Sequence, residues 1–185
     1  MIETFQSLGD EVGKVIVMAV KKAFNMQGHK MTGALNDSIE YKVNATMDSV
    51  MLEFLMLDYG MIQNFGVTPE RIPFNPGSGA KSSKYIDGLK RFAKIKLGKN
   101  DKEAERVAFA IAYKQKQEGM PTRGSYKYSS TGKRTGAVLD ALKDSEDEVQ
   151  KLINKAFEEL LIGKFYNVIT EVQKKDSDNI KFYIK

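Results

Sequence analysis

Along the first 26 residues, apolar side chains fall at Phe5, Leu8, Val12, Val15, Ile16, Ala19, Ala23 and Met26. Steps of three and four residues trace one face of a helix. The spacing predicts one long amphipathic helix, weakened in its first half by Gly9 and Gly13 and ended at Gly28 as a C-cap. From Ser38 the period changes to two. Ile39, Tyr41 and Val43 alternate with Ser38, Glu40 and Lys42, which predicts a half-buried strand. Asn44 to Asp48 reads as its turn and Val50 to Leu57 as the partner strand, with Val50, Leu52, Phe54 and Met56 on one face. Met51, Leu55 and Leu57 on the other face are apolar too. A strand apolar on both sides needs a core on one face and a helix or neighbouring subunit on the other.

The rest of the chain reads as helices separated by loops. Thr68 to Ser83 holds three of the four prolines, with Gly77 and Gly79, and is expected to be a loop. Tyr85 to Leu97 is helical in pattern and stops at Gly98. Asn100 then starts a second helix, completed as a capping-box-like pattern by Glu103, that runs to about Glu118. Gly119 to Thr135 is a break rich in glycine and base. At Ser145 the run Ser-Glu-Asp-Glu predicts a helix start, because serine can cap and acids suit the positive end of the helix dipole. Gly163 is expected to end that helix, leaving strands Tyr166 to Val172 and Ile180 to Ile184 joined by Gln173 to Asn179. The expected fold is α+β, a single domain over 1–185. A small antiparallel sheet packs against a long N-terminal and a C-terminal helix, with a helical insertion at about 84–118 and a basic flexible loop at about 119–135.

Little here supports catalysis. There is no cysteine, hence no disulfide, thiolate ligand or cysteine nucleophile. The one histidine, His29, sits between Gly28 and Lys30 and reads as an exposed linker residue. Gly77-Ser78-Gly79-Ala80-Lys81-Ser82 fails the phosphate-loop pattern because Ala80 separates Gly79 from Lys81. The acids Asp140, Asp144, Glu146, Asp147 and Glu148 have a structural reason to cluster near a helix start, and Asp58 reads as a turn or cap. The sequons at Asn36 and Asn44 read as chance matches, since no secretory signal is expected. No run is apolar enough to span a bilayer. Net charge is +5, modest for a dedicated nucleic-acid binder. The stretch from Arg123 to Arg134 interleaves Arg123, Lys127, Lys133 and Arg134 with Tyr126 and Tyr128, which could meet phosphates and bases. A solvated loop that orders against a partner is the favoured reading of it.

One ordered set of segments stands out. Thr32-Gly33-Ala34-Leu35-Asn36-Asp37-Ser38-Ile39 leads into the strand pair. Asp58-Tyr59-Gly60-Met61-Ile62-Gln63-Asn64-Phe65-Gly66 follows, then Arg71-Ile72-Pro73-Phe74, and later Gly119-Met120-Pro121-Thr122-Arg123. In this order the segments resemble the tail-completion, or head–tail joining, proteins of tailed bacteriophages. The chain departs from the usual Glu-Phe-Gly with Asn64-Phe65-Gly66, and is larger than typical members.

The resemblance implies a non-enzymatic virion protein, without cofactor or metal, made in the host cytoplasm and placed in the neck. It implies a ring of six or twelve copies between the portal or adaptor and the tail, in transient contact with passing genomic DNA and with no membrane. Candidate interface residues on this reading are Leu55, Leu57, Tyr59, Ile62, Phe65, Arg71 and Phe74, with Arg123, Tyr126, Lys127, Tyr128, Lys133 and Arg134 from the basic loop. The alternatives are a small basic nucleic-acid-binding protein and, behind it, a metal-dependent hydrolase.

Overall fold

The computed structural model describes residues 2–46, 48–78 and 83–180, with the side chains of residue 2 and residues 175–180 left aside. The fold is α+β: mostly helical, with a two-stranded antiparallel sheet packed against long N- and C-terminal helices. In chain order the helices are α1 (Ile2–Met26), α2 (Ala34–Ser38), α3 (Asp58–Phe65), α4 (Lys84–Leu97), α5 (Asp101–Glu118) and α6 (Ala137–Ile180); the strands are β1 (Glu40–Ala45) and β2 (Val50–Leu55). Short 3-10 turns cover Pro69–Arg71 and Arg123–Tyr128. By internal contacts the chain forms two compact units. The first is Met1–Val15, Tyr41–Glu53 and Ser145–Lys185; the second is Ile16–Glu40 and Phe54–Asp144.

In the first unit the sheet lies on the N-terminal half of α1, and the two glycines there are the reason it can. Gly9 faces Val43 and Val50, and Gly13 faces the Tyr41 ring, so close that a methyl on either would overlap them. The Tyr41 hydroxyl donates to the Asp10 carbonyl at 3.2 Å. The residues that weaken α1 as a helix are therefore the ones that let a strand approach its backbone. The alternation read in β1 holds: Tyr41 and Val43 are half-buried, whereas Glu40, Lys42 and Asn44 are exposed.

In the second unit α1 continues with Ile16, Val17, Val20, Ala23 and Phe24 buried, and ends as expected. Gly28 adopts the left-handed conformation at φ 76. Its N–H donates to Asn25 O and that of His29 to Phe24 O, which is a Schellman closure. The α4–α5 hairpin also matches its sequence signals. Ser83 Oγ accepts from Ile86 N–H at 3.2 Å and Asn100 Oδ1 from Glu103 N–H at 3.0 Å, while Gly98 turns left-handed between the helices. Ala93, Ala104, Ala108 and Ala112 are completely buried, small enough for the two helices to pack closely, and Ile86 joins them.

The base of this hairpin is closed by a backbone pair. Val67 and Met120 exchange N–H to carbonyl bonds at 2.7 and 2.8 Å. Gly66 and Gly119 flank the pair at φ 76 and φ 82 with ψ near 180°, a region open only to glycine. A side chain on Gly66 would meet Met120 O, and one on Gly119 would meet Val67 O. The Phe-Gly and Gly-Met-Pro segments, read as separate signals in the sequence, thus form one lock.

Three expectations need correction. The C-terminal helix begins at Ala137, well before Ser145, and Ser145 is buried within it. Its start is capped from a distance, since Asn64 Oδ1 accepts from Val138 N–H at 2.9 Å and Asn64 O from Gly136 N–H at 2.7 Å. The acids at 144 and 146–148 accordingly lie well inside α6, and only Asp140 stands in its first turn. Nor does Gly163 end the helix. No strand forms at Tyr166 to Val172, where α6 continues through Gln173 to Asn179 and reaches Ile180. A glycine costs a helix about 1 kcal/mol, too little to stop one whose apolar spacing persists on both sides. The rest of the expected last strand, residues 181–184, lies outside the described residues, as do 79–82 of the glycine-serine loop.

Candidate interaction surfaces

The helix α3 is turned the opposite way from an ordinary surface helix. Its buried residues are Gly60 and Asn64. Gly60 sits against Leu35 and Met56 with no room for a side chain, and Asn64 is committed to the start of α6. Outward stand Tyr59, Met61, Ile62 and Phe65, together with Leu57 just before the helix. Phe65 is 72% exposed. A helix that hides glycine and amide and offers aromatic and aliphatic side chains to solvent has the pattern of a contact surface. Tyr59, Ile62, Phe65 and Leu57 were legible as candidates in the sequence. Met61 was not singled out, although its place four residues before Phe65 put it on the same face.

The other expected interface residues are scattered. Leu55 is half-buried at the end of β2, whose outer face shows Met51 at 66% exposure. Arg71 is exposed on the turn Pro69–Arg71. Phe74 is directed inward against α5, edge-on to Tyr113 at 4.9 Å between ring centroids and tilted against Phe109 at 6.2 Å. Lys116 fastens the same stretch by donating to Ile72 O at 3.2 Å.

The loop after α5 holds its basic residues in different ways. Arg123 and Lys127 are exposed, and the Lys127 ammonium stands 5.1 Å over the Tyr128 ring. Tyr126 and Tyr128 are both exposed. Lys133 pairs with Asp140 at 2.7 Å across a shallow cleft beside Met26 and Gln27. Arg134 is drawn inward and donates to Gln27 O. Lys133 and Arg134 are thus engaged within the protein, while Arg123 and Lys127 remain exposed. Backbone bonds also fasten this loop to the end of α1, with Ser130 N–H donating to Met26 O at 2.8 Å.

His29 is part of that attachment and is not the exposed linker residue the sequence suggested. Its ring meets Phe24 edge-on at 5.8 Å, and Nε2 lies 3.0 Å from Arg134 O. A carbonyl only accepts, so Nε2 carries the proton of a neutral ring. Burial first, then the Arg134 charge, lower the His29 pKa to about 4, against the raising effect of the carbonyl bond. Nothing in the Gly-His-Lys sequence signalled this, because both contacts come from outside it.

A stability test follows. The unfolded chain takes up a proton near the ordinary histidine value of 6.5 and the folded chain resists until about 4. The contribution is therefore complete above pH 6.5 and is lost as pH falls through that window. With a discount for the ring's partial exposure it amounts to about 1–2 kcal/mol. Urea midpoints from pH 7 to pH 4 should fall more steeply for the unaltered protein than for His29→Gln. Parallel slopes would show that the histidine is not held neutral.

Among the described residues no group of three His, Asp or Glu side chains could hold a metal ion, and no helix is long and apolar enough to cross a membrane. No family model matches the chain, and no curated protein and no solved structure matches it.

Proposed function

We propose that the chain is a structural subunit of the tailed-phage neck, a non-enzymatic protein that closes into a ring of six or twelve copies. That ring joins the portal or adaptor complex to the tail in the virion, after assembly in the host cytoplasm. The observation that carries the reading is α3, which buries Gly60 and Asn64 and turns Ile62 and Phe65 outward. Ring closure sets one face of each subunit against a different face of the next, and an outward aromatic-aliphatic helix is the kind of surface that such a contact buries. The ordered sequence resemblance supports the same reading, since its Tyr59 to Gly66 segment is this helix. A nucleic-acid-binding role is less well supported, because Lys133 is paired with Asp140 and Arg134 is bound to Gln27.

The test is the solution mass of the full chain, alone and mixed with portal, adaptor or tail-tube proteins of a tailed phage. A ring-sized species, or a complex that appears only with such a partner, is expected. The substitutions Ile62→Glu and Phe65→Glu should remove it while leaving the helical content unchanged. Indifference to every such partner, or absence of the protein from purified particles, would end the proposal.

A further inference from the structure

The C-terminal half of α6 carries a second apolar face. Ile162, Phe165, Ile169 and Val172 follow one another at steps of three, four and three residues, and Leu161 and Val168 lie beside them on the same side. All six are more than half exposed. The opposite side carries Glu159, Lys164, Asn167, Thr170 and Glu171. A helix divided in this way owes most of its stability to whatever covers its apolar half.

We propose that this face pairs with the same face of a second copy of the chain, two α6 helices meeting along a coiled-coil seam. The spacing is that of a heptad seam, in which Ile162 and Ile169 take one core position and Phe165 and Val172 the other. The area is sufficient. With the equally exposed Tyr166 at the edge of the seam, the face offers roughly 800 Å² of surface, about what each partner contributes to a stable interface. The polar side argues against a lipid surface, because it balances Glu159 and Glu171 against Lys164 and Lys174, whereas helices that lie on membranes are rich in Lys and Arg there. The pairing is isologous and self-limiting at two copies. It uses α6 and not α3, so it stands or falls apart from the neck assignment.

The chain has no cysteine, so one introduced thiol reports one position. In the full-length protein Phe165→Cys should give a disulfide-linked pair under mild oxidation, and Asn167→Cys, on the polar side, should not. Phe165→Glu combined with Ile169→Glu should halve the mass of the species seen by light scattering, and Phe65→Glu on α3 should leave the pairing intact. Equal cross-linking from both cysteine positions would overturn the proposal, as would a mass unchanged by the α6 pair of substitutions. So would a single-chain mass for the unaltered protein, including one that binds anionic vesicles through α6, or association abolished by Phe65→Glu alone.

Discussion

Gly119→Ala should destabilise the fold by about 3 kcal/mol, through strain in a backbone region that only glycine occupies freely. At φ 82 and ψ -169 Gly119 holds that conformation, and its added methyl would also press on Val67 O. Val67 O accepts from Met120 N–H, so any shift that relieves the contact weakens the pair that closes the α4–α5 hairpin. Gly66→Ala meets the mirror-image obstacle at Met120 O and should cost a similar amount. Gly88 is the control. It lies within α4 with nothing near its would-be side chain, and Gly88→Ala should stabilise the chain by about 0.5–1 kcal/mol through helix propensity alone. Denaturant unfolding of the three variants reads both signs. A loss below 1 kcal/mol in Gly119→Ala would mean that the hairpin base is not the lock described.

Gly13→Ala should also destabilise, by about 2 kcal/mol, although propensity alone favours alanine by about 1 kcal/mol. The opposing effect is the Tyr41 ring, which the new methyl would overlap, and an aromatic ring has no flexible end to move aside. The coupling is testable in a double-mutant cycle. In a Tyr41→Ala background the space is clear, and Gly13→Ala should become neutral or stabilising. If the single variant were already stabilised, β1 would not lie against α1 at this point.

Legibility in the sequence followed the range of the interactions. The Asn100 cap, the Gly28 and Gly98 terminations and the alternation of β1 were readable because their signals lie within a few residues. Tyr59, Ile62 and Phe65 were readable as surface candidates, although their outward direction came from Asn64 reaching to Val138. Tyr166 to Val172 was misread because two periods overlap there. Tyr166, Val168 and Val172 fit alternation, while Phe165, Ile169 and Val172 fit a helix. Continuity with the preceding turns of α6 resolves the choice, and a seven-residue window does not contain it.

Local signals along the chain were enough to place α1, β1, β2, α4 and α5, since backbone propensity and capping act within a few residues. Residues whose partners are remote in sequence took their meaning from the folded chain. Gly9 and Gly13 are contact points for a sheet, His29 is held neutral under Arg134, and α6 starts at Ala137 because Asn64 caps it. Each of these depends on what stands across a gap in space, which no pattern along the chain encodes.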